Sequence, residues 1–268
     1  MKVSFVGGGN MGEAILSLLI SKKVVRVEGI CVGEVINARC QYLRDKYGID
    51  AKTSNAEAIA GADVVVLAIK PQTLPQVLPD LAGRLKPAQL VMSIIAGAKI
   101  ATLAAGLKHD RIVRVMPNTP AQIGEGMSVW TATPQVTGRQ RQWAARILKN
   151  IGDEIFVPDE DLLDAVTAVS GSGPAYFFLF VESLIDAAAE TGLERDMAHK
   201  MVIQTMLGSG HLVEKSGRTP AELREMVTSK GGTTAAALAV FEQGDFRGLV
   251  KQAVAAAHQR SVELGRTQ

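Results

Sequence analysis

The chain has 268 residues, with 29 lysines and arginines against 27 aspartates and glutamates, for a formal net charge of +2. That balance excludes the strong basic field that nucleic acid or an anionic bilayer selects, and 47% hydrophobic against 21% charged residues excludes a disordered or low-complexity chain. The length suits one large domain or two ordinary ones.

The N-terminus enters a strand pattern at once, Met1-Lys2-Val3-Ser4-Phe5-Val6, with no basic-then-apolar signal ahead of it. No targeting segment is expected, and unbroken apolar runs such as residues 64–69 are too short to cross a bilayer. The two cysteines, Cys31 and Cys40, fall where a strand gives way to a helix, so no disulfide is expected and a reducing, cytoplasmic setting is favoured.

Val3 to Val6 is a short apolar run ending in glycines, and Met11 to Ile20 then takes helical spacing. Gly29 to Val32 is apolar again, Asn37 to Tyr47 is amphipathic, and Val64 to Ala68 is apolar enough to be buried on both faces. Leu90 to Ile95 and Ile112 to Val115 repeat the pattern, with helices after Pro75 and from Ile100. Continuous apolar strands alternating with helices predict a doubly wound, mostly parallel α/β sheet of Rossmann-like type. Met127 to Trp130 and Glu154 to Val157 read as two edge strands flanking a helix over Thr137 to Asn150.

Beyond about residue 160 the strand signals stop. Leu162 to Val169, Pro174 to Thr191, Met197 to Lys215, Pro220 to Thr228, Thr234 to Gln243 and Phe246 to Leu264 all read as helices, with a capping box at Thr219 and Glu222. The division is placed at 1–159 for a dinucleotide-binding half and 160–268 for an all-helical half that dimerises and binds substrate. The helix after Pro174 is apolar on nearly every side for two turns, which favours burial against a second subunit over the core of a monomeric bundle.

Gly7-Gly8-Gly9-Asn10-Met11-Gly12 fits Gly-x-Gly-x-x-Gly between a strand and a helix, the context that gives this short pattern meaning. Gly7 permits the tight turn, Gly9 lets the backbone approach a pyrophosphate, and Gly12 lets helix and strand pack closely, while the helix start offers N–H groups to the anion. Gly33 and Glu34 follow the second strand, Glu34 standing 27 positions after Gly7. A carboxylate there accepts from a ribose 2′-hydroxyl and repels a 2′-phosphate, favouring NADH, whereas Arg39 nearby can offset the repulsion; NADPH and NADH both stay open. Asn55 is a candidate for the adenine or ribose, or else a helix cap. Ala68-Ile69-Lys70-Pro71 and Ile95-Ala96-Gly97 end the fourth and fifth strands at the edge where doubly wound sheets bind ligands, so Ala68, Ile69, Lys70, Pro71, Ala96 and Gly97 join the cofactor candidates, Lys70 being otherwise a surface lysine.

Three further motifs narrow the family: Met116-Pro117-Asn118-Thr119-Pro120, Ala168-Val169-Ser170-Gly171-Ser172-Gly173-Pro174-Ala175-Tyr176, and Val227-Thr228-Ser229-Lys230-Gly231-Gly232-Thr233-Thr234. With the glycine motif and Ala68-Ile69-Lys70-Pro71, they make essentially the whole chain resemble the pyrroline-5-carboxylate reductases. The resemblance implies a Rossmann-like domain followed by a helical dimerisation domain, a homodimer that can assemble further, active sites at the dimer interface, and NAD(P)H-dependent reduction of 1-pyrroline-5-carboxylate to L-proline. Lys230 departs from the proline usual at that place, and Gly33-Glu34 departs from members with Ser or Asn-Arg there.

The substrate offers a carboxylate and a cyclic C=N. Gly231 and Gly232 leave N–H groups unshielded before a helix, and Ser229, Thr233 and Thr234 add hydroxyls suited to the carboxylate, although the glycines also fit a plain interhelical loop and Thr233 an N-cap. The resemblance places Thr234, the one catalytic candidate, beside the ring nitrogen. Asn118 is expected at the nicotinamide end, or in an Asx-type turn. A protonated iminium needs no dedicated strong acid, so positioning dominates. His109, His199, His211 and His258 show no metal spacing, and no metal is expected. A hydroxyacid dehydrogenase or ketopantoate reductase would need a lysine on the helix that here carries Tyr176, Phe177 and Phe178 and has none before Lys200. A non-catalytic NAD(P) sensor and a reductase of another cyclic imine are the remaining alternatives.

Overall fold

The computed structural model describes residues 1–266. Among them eight strands form one sheet: β1 (Val3–Val6), β2 (Ile30–Gly33), β3 (Asp50–Lys52), β4 (Val64–Leu67), β5 (Leu90–Ser93), β6 (Ile112–Pro117), β7 (Gly126–Ala132) and β8 (Gly152–Phe156). Their spatial order is β3-β2-β1-β4-β5-β6-β7-β8. The first six run parallel, β7 is antiparallel to β6, and β8 is parallel to β7. The expected mostly parallel, Rossmann-like sheet is present.

The helices of this part are α1 (Asn10–Ser21), α2 (Asn37–Tyr47), α3 (Asn55–Ile59), α4 (Leu74–Leu81), α5 (Ile100–Leu107) and α6 (Gly138–Leu148). They cover both faces, which is why every residue of β1 and β4 is buried and why those strands read as unbroken apolar runs. Successive side chains of a strand point to opposite faces. Val64 and Val66 accordingly join Ile15, Leu16, Leu43 and Ile147 in one core, while Val65 and Leu67 join Ile59, Leu81, Leu103 and Leu107 in the other. The chain leaves β3 at one edge and re-enters the sheet at β4 beside β1, so the order reverses between β1 and β4. The crevice at the carboxyl ends of those strands is where such sheets take ligands.

Further helices follow: α7 (Leu162–Val166), a π-helical turn (Thr167–Gly171), α8 (Gly173–Glu190), α9 (Arg195–Lys215), α10 (Pro220–Met226), α11 (Thr233–Gln243) and α12 (Phe246–Arg266). The chain forms two compact units, Met1–Ser172 together with the chain from Ala257, and Gly173–Ala256. Strand signals end near residue 160, but packing continues past it. Leu163 and Ala168 are buried, and the buried Asp164 carboxylate accepts from Ser261 Oγ at 2.7 Å, so α7, the π-helical turn and the end of α12 belong with the sheet.

In the second unit α8 and α9 pack through Ile185, Ala198 and Val202. Thr219 and Glu222 form the expected capping box, Thr219 Oγ1 accepting from Glu222 N at 3.3 Å and Glu222 Oε2 from Thr219 N at 2.7 Å. The start of α8 is bare, with Phe177 64% and Phe178 63% exposed. The 29-residue stretch Leu162–Glu190 is long and apolar enough, by length and composition alone, to cross a membrane. A search for unbroken apolar runs misses it because Asp164, Ser172, Glu182 and Ser183 interrupt the stretch.

Candidate active site

The turn after β1 is built by glycines with distinct jobs. Gly7 has φ +98°, and a Cβ on it would stand 2.7 Å from the Ala68 carbonyl oxygen. A Cβ on Gly12 would lie 2.6 Å from the Gly7 carbonyl oxygen, so the first turn of α1 rests directly on the loop. Gly9 differs: a Cβ there would meet nothing within 4 Å, and it would project into the space before α1. Gly9 is the N-cap of α1 and has no side chain to cap it, so the first-turn amides, which lack intrahelical acceptors, are open to an anion. Gly9 and Asn10 are exposed, while Met11 is half-buried against the core. Tight packing behind and open backbone in front fit a dinucleotide pyrophosphate.

Glu34 stands just past β2. Its Oε2 accepts from Gly8 N and its Oε1 from Ile36 N, both at 3.0 Å. Its backbone N–H donates to the Lys52 carbonyl at 2.9 Å. Arg39 Nε donates to the Gly8 carbonyl at 2.7 Å, and its guanidinium pairs with the Glu13 carboxylate. Glu13 also accepts from Tyr47 at 2.7 Å, Lys46 at 2.9 Å and Tyr42 at 3.0 Å. Burial pushes the Glu13 carboxyl up, but hydrogen bonds from Lys46, Tyr47, Arg39 and Tyr42 outweigh it and bring its pKa down to about 2. The sequence singles out Glu34 and Arg39 but not Glu13, whose only signal is its place as the acid in the first turn of α1.

Asn55 is the buried first residue of α3, and a Cβ on Gly33 would come within 2.6 Å of its Oδ1, so the two are in close contact. The cap of α3 is Ser54, which accepts from Glu57 N at 3.3 Å, and Asn55 is not the cap. Ala68 and Ile69 flank Gly7. Lys70 is exposed, its carbonyl accepts from Thr73 Oγ1 at 2.8 Å, and Pro71 opens the turn that follows. Ala96 and the buried Gly97, at φ +78°, follow β5. Asn118, at the end of β6, accepts from Met127 N at 2.8 Å and donates to Ser170 Oγ at 3.3 Å. It therefore bridges to β7 and to the π-helical turn, a kind of distortion frequent at functional sites, and does not close an Asx turn. Ser170 has no chain-local signal beyond its motif. Neither thiol favours its thiolate form: burial, then the Asp50 carboxylate, pushes Cys31 up to about 11, and burial pushes Cys40 up.

The substrate candidates lie in the second unit. Gly231 has φ +73°, which favours glycine, and a Cβ on Gly232 would fall 2.4 Å from the rotatable Ser229 Oγ. Gly232 N donates to the Ser229 carbonyl at 3.0 Å. Gly232, not Thr233, is the N-cap of α11 and supplies no side-chain cap. Thr233 and Thr234 occupy the first turn, and their amides are open to an anion. Ser229, Lys230, Gly231 and Thr233 are exposed, and Thr234 is half-buried.

A doubly wound sheet with this glycine turn at its switch point defines a dinucleotide-binding protein, the class to which NAD(P)H-dependent oxidoreductases belong. A family model described as pyrroline-5-carboxylate reductase dimerisation matches residues 160–264, and one described as NADP oxidoreductase, coenzyme F420-dependent, matches residues 2–97. The chain belongs to the pyrroline-5-carboxylate reductase family. It is 43% identical to the pyrroline-5-carboxylate reductase of Synechocystis sp. over 99% of both chains. Among solved structures it resembles the Plasmodium falciparum pyrroline carboxylate reductase, which has NADP bound, at 32% identity and TM-score 0.90, covering 99% of this chain and 98% of that one. It also resembles the Coxiella burnetii enzyme at 35% identity and TM-score 0.89, covering 98% of each. The helical part thus carries a homodimerisation domain, and the fold is that of the family.

Proposed function

We propose that this protein reduces the C=N bond of 1-pyrroline-5-carboxylate to give L-proline, the final step of proline biosynthesis, as a homodimer in the cytosol. Residues 1–159 hold the dinucleotide, and residues 160–268 hold the substrate and the partner subunit. The observation that carries the proposal is the uncapped start of α11 behind Gly231 and Gly232, a ready anion site in a chain whose relatives are named for this activity.

The substrate carboxylate accepts from the first-turn amides of α11 and from the Ser229 and Thr233 hydroxyls. The partial positive charge of the helix start favours that anion. The Thr234 hydroxyl accepts from the iminium N–H and fixes the ring nitrogen. When bound, the reduced nicotinamide supplies a hydride to the imine carbon, and the nitrogen keeps its proton as the secondary amine. The first-turn amides of α1 hold the pyrophosphate, Asn55 and Gly33 line the ribose end, and Ala68 to Pro71, Ala96, Gly97 and Asn118 line the run toward the nicotinamide. Orientation supplies most of the rate, as it can where no nucleophile or strong acid takes part.

Loss of reduced-nicotinamide absorbance on adding 1-pyrroline-5-carboxylate, with proline as product, tests the proposal. Thr234→Ala should lower kcat about 10-fold or more, the loss of one hydrogen bond to a charged group, with the dinucleotide Kd unchanged. A variant that turns over as fast as the parent removes the role given to Thr234. Dinucleotide binding without any turnover of the parent chain leaves a sensor and not a reductase.

A further inference from the structure

We infer that Glu34 makes this enzyme select NADH over NADPH, an inference that rests on the dinucleotide occupying the Gly7–Gly12 loop. The carboxylate is fixed. One oxygen accepts from Gly8 N and the other from Ile36 N, each at 3.0 Å, so it cannot swing away without freeing two backbone donors. It stands one residue past the end of β2, on the strand beside β1, where the adenosine ribose lies in sheets of this type. A carboxylate oxygen has two lone pairs, so each still has room for a further donor. A ribose 2′-hydroxyl supplies that donor, and a 2′-phosphate supplies only negative charge.

The basic groups of the surrounding elements are engaged elsewhere. On α2, the Arg39 guanidinium is held between the Gly8 carbonyl and Glu13 and stacks 4.7 Å from the Tyr42 ring centroid. Lys46 pairs with Glu13 at 2.9 Å, and Arg44 donates to the Ala51 carbonyl at 3.0 Å. On β3, Lys52 pairs with Asp50 at 3.5 Å. Among the described residues no ion pair reaches Glu34. A 2′-phosphate would therefore meet a fixed like charge, while Arg39 already has its Nε on the Gly8 carbonyl and one terminal nitrogen on Glu13 and can offer such a phosphate only its remaining N–H groups.

Calorimetry of NAD⁺ and NADP⁺ binding to the ligand-free enzyme tests this, alongside kcat/KM for NADH and NADPH. The parent chain should favour the unphosphorylated cofactor about 10-fold or more in both measures, the range of one hydrogen bond to a charged group. Glu34→Ser should shift the ratio of the two affinities toward NADP⁺ by about 10- to 100-fold. Because Glu34 also pins Gly8, the variant can weaken both cofactors together, and the ratio is insensitive to that common loss. Arg39→Ala should weaken both cofactors alike. Equal or tighter binding of NADP⁺ to the parent, an unchanged ratio in Glu34→Ser, or a loss confined to NADP⁺ in Arg39→Ala each overturns the inference. Selective NAD⁺ binding without turnover supports it and sinks the reductase proposal, and binding of neither cofactor sinks both.

Discussion

Gly7 and Gly9 stand two residues apart and respond to a side chain in opposite ways. At Gly7 the backbone is in the left-handed region and a Cβ runs into the Ala68 carbonyl, so Gly7→Ala should destabilise the first unit by about 1–3 kcal/mol. At Gly9 the φ is −69° and the space is open, so Gly9→Val should keep its stability and lose dinucleotide binding. Both tryptophans, Trp130 and Trp143, lie in the first unit, so their fluorescence in a urea titration reads its stability, and calorimetry reads the binding. A Gly9→Val variant that binds NAD(P)⁺ normally would place the phosphate elsewhere. Glu13 adds a pH dependence. Its folded pKa, about 2, lies below the ordinary 4.5, so its stabilisation is full above about 4.5 and disappears as pH falls toward 2. Glu13→Gln should cost about 1–3 kcal/mol near neutrality, and its gap from the parent should close as pH falls through that window. A gap constant down to pH 2 would mean that packing, not charge, is what Glu13 supplies.

At the scale of elements, what the sequence discloses is what has a period. Asn37–Tyr47 forms α2 with the expected ends, closed by Gly48 at φ +67°. The apolar runs of β1 and β4 announce a strand buried on both faces, and the glycine turn between β1 and α1 announces its own ligand. The π-helical turn has no such signature: Thr167-Ala168-Val169-Ser170-Gly171 carries ordinary helical spacing, and what the turn packs against, the Met116 side chain beside Gly171, lies far away in the sequence. Its bond to Asn118 spans 52 positions, and no local pattern records it. The Glu13 cluster is hidden for the same reason, since its donors come from α2. Asn118 joins three elements, and removing it should show how much they depend on it. Asn118→Ala strands the Met127 N–H and should cost about 1–3 kcal/mol, whereas Ser170→Ala removes only one long bond and should cost less than about 1 kcal/mol. Urea midpoints by tryptophan fluorescence check the order, and equal costs would mean that the β6–β7 connection does not depend on the amide.

At the scale of the whole molecule the exposed start of α8 decides what the protein is in solution. Tyr176, Phe177, Phe178, Leu179 and Phe180 are each at least 36% exposed in the single chain. Successive helical residues are about 100° apart, so five in a row sweep more than a full turn, and no single amphipathic face explains them. Large apolar patches mark a protein or membrane contact. The dimerisation match over residues 160–264 includes this helix and supports a second copy of the chain as its cover. Since exposed apolar residues lie on more than one side of the helix, a charge at either of two adjacent positions should oppose assembly. Phe177→Asp and Phe178→Asp are each expected to give a monomer by sedimentation, because an unpaired carboxylate cannot be buried cheaply. The dinucleotide loop belongs to the other compact unit, which has its own core, so NAD(P)⁺ affinity should stay within about 2-fold of the parent while turnover of 1-pyrroline-5-carboxylate falls. A variant that remains dimeric and fully active would mean that the second subunit docks on another face, and one that stays monomeric yet fully active would mean that each chain completes its site alone.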